Sequence, residues 1–285
     1  MPLRLSGWLC LLIFLIFVLG GCKSPTSSFS GRLVIGVISY TEAEQTLKRY
    51  ANFNHYLAQK TGARVELEPT YNEKKALEQV QNQAWSLVFA SSGIAAIAIA
   101  DHQYRPLFPL QDLSHSRSIL VVRNDSPIRE LKQLQGQTVA LGQVGSATGY
   151  YFPVYNLYGL TLAEVLFAPT PKTVLESVAQ KKAAAGALSL AEFNFYSPQL
   201  KDTQFRLLYT DPHSAPPDVV LIAPNVEPNR QEQIRKIMSA APESLVREIG
   251  YIPEAPVPNY DYMISVVRRV RSIDSNLHKK PARLF

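Results

Sequence analysis

Short apolar runs that alternate with helix-length amphipathic stretches constrain this chain more than any other feature. Leu33-Val34-Ile35-Gly36-Val37 and Ser118-Ile119-Leu120-Val121-Val122 carry no regular polar face, so each reads as a strand buried on both sides. After the first run the pattern predicts a helix over 43–59 that stops at Thr61-Gly62, a strand over 64–68 and a helix over 73–83. A strand over 85–90, a small-residue helix over 93–100 and a short apolar segment over 104–110 follow. After the second run come a helix over 128–134, a strand from Thr138, a helix beyond residue 150 and a strand over 163–167. A helix over 172–182, a strand over 183–188 and strands over 205–209 and 218–223 lead to a helical end interrupted by Pro253, Pro256 and Pro258. Repeated β-α-β order predicts an α/β protein of mostly parallel sheets with helices on both faces. Residues 33–112 and 119–210 run through the same order, which suggests two lobes joined by extended segments near 116–124 and 216–225. Ligands of open α/β sheets bind beyond the carboxyl ends of the strands, so two lobes would place two such edges across a cleft. The division expected is 32–117 for lobe 1, 118–217 for lobe 2, and 218–285 for a return to lobe 1 with a basic tail.

The first residues read as a targeting segment. Arg4 precedes an apolar run over 8–19, which is shorter than the ~20 residues a membrane-spanning helix needs. The run ends in Leu19-Gly20-Gly21-Cys22, which resembles the lipobox of bacterial lipoproteins. That resemblance implies a leader over 1–21, removal before Cys22, and acylation of the Cys22 thiol. The Ser-rich stretch over 22–31 reads as a tether from lipid to domain. The expected location is therefore exported and lipid-anchored at a membrane surface. Cys10 falls in the leader, which leaves Cys22 alone and excludes an intrachain disulfide or a multi-cysteine metal site.

The formal charge of +6 is concentrated at the C-terminus. Residues 268–285 hold Arg268, Arg269, Arg271, Lys279, Lys280 and Arg283 against the single acid Asp274, so the rest of the mature chain is near neutral. The expectation is a solvated, frayed tail, with contact to anionic headgroups or a partner as the alternative. Nucleic acid does not fit an exported chain without a basic-aromatic patch. The five histidines are scattered, and no P-loop, nucleophile elbow or dinucleotide fingerprint occurs. No metal, cofactor or enzymatic activity is expected, and binding becomes the leading class.

Gly145-Ser146-Ala147-Thr148-Gly149-Tyr150-Tyr151-Phe152-Pro153 joins the Thr138 strand to a helix. Such a turn either caps an ordinary helix or holds an anion on free N–H groups and hydroxyls. Ser146, Thr148, Gly149 and Tyr150 are the candidate contacts from this lobe. Ser91 and Ser92, after the strand over 85–90, are candidates from the other lobe, and Tyr40 offers a phenol. Glu192 is in reach of an amino group on a ligand, although an exposed helix position is the simpler reading.

Several fragments, in order, resemble the phosphate, phosphite and phosphonate-binding proteins of ABC importers. They are Leu33 to Tyr40, Tyr56-Leu57 through Val65-Glu66-Leu67, Ser118 to Ser126, Leu131 to Ala140, and Ser146-Ala147-Thr148-Gly149-Tyr150 with Pro153. Gly250-Tyr251-Ile252-Pro253 and Asn259-Tyr260-Asp261-Tyr262 extend the match. The resemblance implies a two-lobe periplasmic-binding-protein fold of type II, capture of a small phosphorus oxyanion in the cleft, and delivery to an ABC permease. The chain departs from the family pattern at Ala147, where a hydroxyl is lost, and at Pro171, where the family carries a His. Ser91 to Ala96 lacks an expected tyrosine, and Ala183-Ala184-Ala185-Gly186-Ala187 lacks an expected Asp. The missing Asp argues against an amine-bearing ligand. A different small solute, or a sensor or assembly lipoprotein on the same fold, remain the alternatives.

Overall fold

The computed structural model describes residues 31–39, 43–111 and 117–285. The leader, Cys22, the tether up to Ser30, and Tyr40 lie outside the described residues. In chain order the elements are β1 (Arg32–Ile38), α1 (Ala43–Thr61), β2 (Arg64–Thr70), α2 (Glu73–Gln81), β3 (Leu87–Ala90), α3 (Ser92–His102), β4 (Arg105–Pro109) and β5 (Arg117–Arg123). Then follow β6 (Thr138–Leu141), α4 (Phe152–Asn156), β7 (Thr161–Leu162), β8 (Glu164–Phe167), α5 (Pro171–Ala179), β9 (Ala185–Ser189), α6 (Leu190–Tyr196) and β10 (Phe205–Ser214). The chain ends with β11 (Val219–Ile222), α7 (Pro228–Ser239), α8 (Glu243–Ile249), α9 (Asp261–Arg271), α10 (Asp274–Leu277) and β12 (Ala282–Arg283).

Two five-stranded sheets form, in the orders β2-β1-β3-β11-β4 and β10-β5-β9-β6-β8. Lobe 1 is built on the first sheet and lobe 2 on the second. The expectation of mostly parallel pairing is corrected: the sheets are mixed. β1 is parallel to β2 and β3, and β6 is parallel to β8 and β9. β11 runs against both of its neighbours, β3 and β4, and β5 runs against both of its own, β9 and β10. The reason lies in the crossings. β5 is the first strand after the chain leaves lobe 1, and β11 is the first after it returns. Each starts at the inter-lobe side, where its neighbours end.

In lobe 1, α1 covers the sheet with Tyr50, Phe53 and Leu57, all buried. Burial of a side chain such as Phe53 or Leu57 stabilises by roughly 1.5–3 kcal/mol. Tyr50 meets Phe89 edge to face at 5.2 Å. Trp85 lies flat over Gly36, where a Cβ would fall 2.0 Å from the indole. That glycine is required by the close approach. α7 and α8 pack on the same lobe, where the Tyr56 hydroxyl donates to Ile237 O at 2.8 Å and Arg49 Nε to Glu248 O at 3.0 Å. α3 is apolar all round and buried from Ser92 to Ala98, as a helix sandwiched between layers must be.

The helix expected over 128–134 is only a tight turn, Leu131–Leu134. Pro127 stands before it, Gly136 in a left-handed conformation follows it, and a Glu130–Gln133 capping box satisfies its N-terminal end. The expected frayed tail is also corrected. α9 buries Met263, Val266, Val267 and Val270, and the final strand β12 pairs antiparallel with β7 of lobe 2. Ala282 and Leu284 are fully buried. β11 joins the first sheet, α7 and α8 pack beside α1, and the last residues pair with β7.

Candidate functional site

The carboxyl ends of β3 and β6 point at each other across the lobes, and each leads into a serine. A cleft of about 230 Å³ lies between them. Lobe 1 lines it with Ile38, Tyr50, Glu73, Ser91, Ser92 and Asp218, and lobe 2 with Ser146, Ala147, Thr148, Ser189 and Glu192.

On the lobe 2 side, the Ser146–Tyr151 segment is a π-helical turn. Ser146 Oγ accepts from Gly149 N at 3.0 Å, and Ser146 O accepts from Tyr150 N and Tyr151 N. Gly142 N donates to Gly149 O at 2.8 Å, and Ser118 Oγ donates to Thr148 O at 2.7 Å. Among the described residues, the N–H groups of Ala147 and Thr148 are the two in the turn that this bonding leaves over. A turn of this kind presents leftover donors toward a ligand. Ser146 and Thr148 therefore stand at the cleft. Gly149 and Tyr150 do not offer their N–H groups to it, because both are spent inside the turn. The Tyr150 phenol points away and donates to Asp274, and burial together with that carboxylate pushes its pKa well up.

On the lobe 1 side, Ser91 is the N-cap of α3 but makes no side-chain capping bond. Its Oγ is buried and has no hydrogen-bond partner among the described residues. Ser92 N donates to Asp218 Oδ1 at 2.9 Å. The lobes touch just behind these serines: a Cβ on Gly93 would fall 2.2 Å from Gly145 O. The arrangement is thus a closed one.

Three carboxylates escaped the sequence reading or were placed differently by it. Glu73 opens α2 and is 7 % exposed, and Asp218 immediately precedes β11. Glu192 is not an exposed helix residue. It closes a capping box with Ser189, donating Glu192 N to Ser189 Oγ at 3.1 Å and accepting Ser189 N at 2.8 Å, and it lines the cleft. Burial pushes its carboxyl pKa up, against the lowering effect of the Ser189 bonds. The Ser-x-x-Glu spacing was the available signal for Glu192. Burial likewise pushes the Tyr50 phenol up to about 12. Among the described residues, no Lys, Arg or His lines the cleft.

The departures noted in the sequence fall in different places. Ala147 lines the cleft, where a hydroxyl is therefore lost. Pro171 opens α5 behind a Thr170 cap, beside Glu192 and Gly149 in a small adjoining void. Ala184 stands at the other end of β9, in a surface cavity with Arg123 and Lys181. Five residue steps along the strand separate it from Ser189, about 16 Å. A carboxylate at Ala184 would not reach the cleft, so its absence does not bear on the ligand.

Residues 35–251 match the family described as ABC transporter, phosphonate, periplasmic substrate-binding protein. No curated protein sequence matches the chain. Among solved structures, a Xanthomonas citri protein bound to a chloride ion is similar at 20 % identity and a TM-score of 0.69, over 85 % of this chain and 99 % of its own. A binding-protein component of an ABC phosphonate transporter from Pseudomonas aeruginosa is similar at 14 % identity and a TM-score of 0.65, over 87 % of each chain. PhnD1 of Prochlorococcus marinus in complex with methylphosphonate is similar at 15 % identity and a TM-score of 0.64, over 85 % of this chain and 99 % of its own. These structures share the two-lobe fold, and with the match over 35–251 the chain belongs to the phosphonate family of periplasmic substrate-binding proteins of ABC transporters.

Proposed function

We propose that the protein is an extracytoplasmic receptor, held to the membrane through lipid on Cys22, whose cleft takes a small phosphorus oxyanion for delivery to an ABC permease. The observation that carries the reading is the cleft's donor and acceptor balance. Ser91, Ser146, Thr148 and the leftover N–H groups of Ala147 and Thr148 donate to acceptor oxygens, and Tyr40 is a further phenol donor in this proposal. Glu73, Glu192 and Asp218 add acceptor oxygens to the same lining, and none of its described residues is a Lys, Arg or His. A ligand that brings its own N–H or O–H donors suits such a lining. A phosphonate monoanion keeps a P–OH at neutral pH, and an ammonium on the same molecule adds three donors. A sulfonate without an ammonium has neither, and its full negative charge would face the carboxylates unpaired. The reading therefore favours phosphonates, and among them aminoalkylphosphonates, against the lean taken from Ala184.

Titration calorimetry with matched ligands tests this. Methylphosphonate should bind at least about tenfold more tightly than methanesulfonate, a difference of one good hydrogen bond. 2-Aminoethylphosphonate should exceed methylphosphonate. Equal affinity for methylphosphonate and methanesulfonate would overturn the proposal.

A further inference from the structure

Behind the cleft the chain crosses between the lobes once more. α9 packs on α3 of lobe 1 and also touches α4 and the π-helical turn of lobe 2. Beyond it, residues 274–285 are sewn to lobe 2. Gly159 N donates to Leu284 O, Leu284 N donates to Leu160 O, Lys280 pairs with Glu164, and β12 pairs with β7. The passage from one attachment to the other occurs within residues 271–274. Arg271 Nη2 pairs with Asp101 Oδ2 of lobe 1 at 2.5 Å, and Asp274 accepts the Tyr150 hydroxyl of lobe 2. A cavity of about 460 Å³ adjoins Asp101, Arg271 and Asp274, so this junction is not locked by packing from behind.

Each of these ties ends on an element that lines the cleft at its other end. Tyr150 belongs to the turn that carries Ser146 and Thr148. Asp101 lies near the end of the eleven-residue α3 that starts beside Ser91, about 15 Å away along the helix. We propose that Arg271 and Asp274 are positioning residues that hold the two ligand-binding elements in their closed arrangement. The short 271–274 segment holds Asp101 of lobe 1 and Tyr150 of lobe 2 at once, so a rotation that parts them leaves it able to follow only one. One tie breaks on opening, so the pair favours the closed state before any ligand arrives. A binding-competent state that is more populated raises apparent affinity in proportion. The inference rests on the proposed function only through the choice of ligand.

The test compares Arg271→Ala, Tyr150→Phe and the swap Asp101→Arg with Arg271→Asp against wild type. Calorimetry uses methylphosphonate, and small-angle scattering reads the ligand-free radius of gyration. Loss of an exposed ion pair should weaken affinity about threefold to fivefold in Arg271→Ala. Loss of the charged hydrogen bond should weaken it about tenfold in Tyr150→Phe. Both variants should enlarge the ligand-free radius by roughly 1 Å, as hinge opening does. The thermal midpoint of Arg271→Ala should stay within about 2 °C of wild type, as for an ordinary surface change, and the swap should restore both affinity and radius. A purely structural role would lower the midpoint and leave affinity and radius alone. Unchanged affinity and radius in both variants, or a swap that restores neither, would overturn the inference. If wild type fails to bind methylphosphonate, the ligand assignment falls, and the scattering comparison still decides on the ties.

Discussion

Ser91 and Ser146 occupy matching places in the two lobes, each at the end of a buried strand where a helical turn begins. Their side chains do different things. Ser146 Oγ is committed to its own turn through Gly149 N, and its carbonyl takes two more N–H groups. Ser91 Oγ bonds nothing among the described residues, and α3 begins without a side-chain cap. One serine builds the shape of its half of the cleft, and the other keeps an unspent hydroxyl there. A short all-apolar helix such as α3, buried by its neighbours, does not need the cap. The π-helical turn, buried as well, is capped by Ser146 Oγ.

The sharpest way to break the comparison is to keep the two serines from meeting. Gly93→Ala would place a Cβ 2.2 Å from Gly145 O and 2.8 Å from Ala147 N, both backbone atoms that cannot rotate away. Methylphosphonate affinity should fall by roughly 100-fold or more, because closure is blocked while each lobe stays intact. Calorimetry checks the loss, and scattering should show the variant open with and without ligand. Affinity within threefold of wild type would mean that binding does not need this approach. Next in size is Ser91→Ala. It should cost about tenfold in affinity and nothing in thermal midpoint, since Ser91 Oγ makes no hydrogen bond among the described residues. Ser146→Ala should do the reverse. Loss of the cap costs about 1 kcal/mol of stability, read by denaturant unfolding, with an affinity loss of only a few-fold. Equal stability losses in the two variants would remove the distinction.

The strands and both serine-led turns were legible because hydrophobic runs and turn residues are local signals. Direction of pairing was not: Ser118-Ile119-Leu120-Val121-Val122 is as apolar as a parallel strand, and only the crossing from lobe 1 makes it antiparallel. The ordered C-terminus was present as Met263, Val266, Val267 and Val270, a helical stripe of spacing 3, 1 and 3. The basic residues around it drew the reading toward a solvated tail, although they occupy the exposed face. Glu73, Glu192 and Asp218 stand far apart in the chain and share a cleft only through the fold. Ala184 shows the converse error: a position judged by a family pattern lies a full strand length from the cleft, which no count of residue types reveals.

The smallest effect concerns Glu192, the lobe 2 carboxylate beside Ser146 across from Ser91. Burial raises its pKa in the folded protein above the ordinary glutamate value. The folded state then holds a proton that the unfolded state has already released. Its contribution is fully present below the unfolded pKa and is lost as pH rises through the folded value. Glu192→Gln removes the charge and keeps a carbonyl oxygen for the Ser189 N–H. The variant should match wild type at about pH 4 and exceed it by about 2 °C in thermal midpoint at about pH 8. Its affinity for 2-aminoethylphosphonate should fall at the same alkaline pH, where wild type presents a carboxylate to the ammonium. A midpoint difference that is constant across this range would show that Glu192 carries no buried charge. A difference confined to the alkaline side, with weaker binding of the amine, would place the ligand's cationic end on lobe 2 and leave Ser91 to the oxyanion.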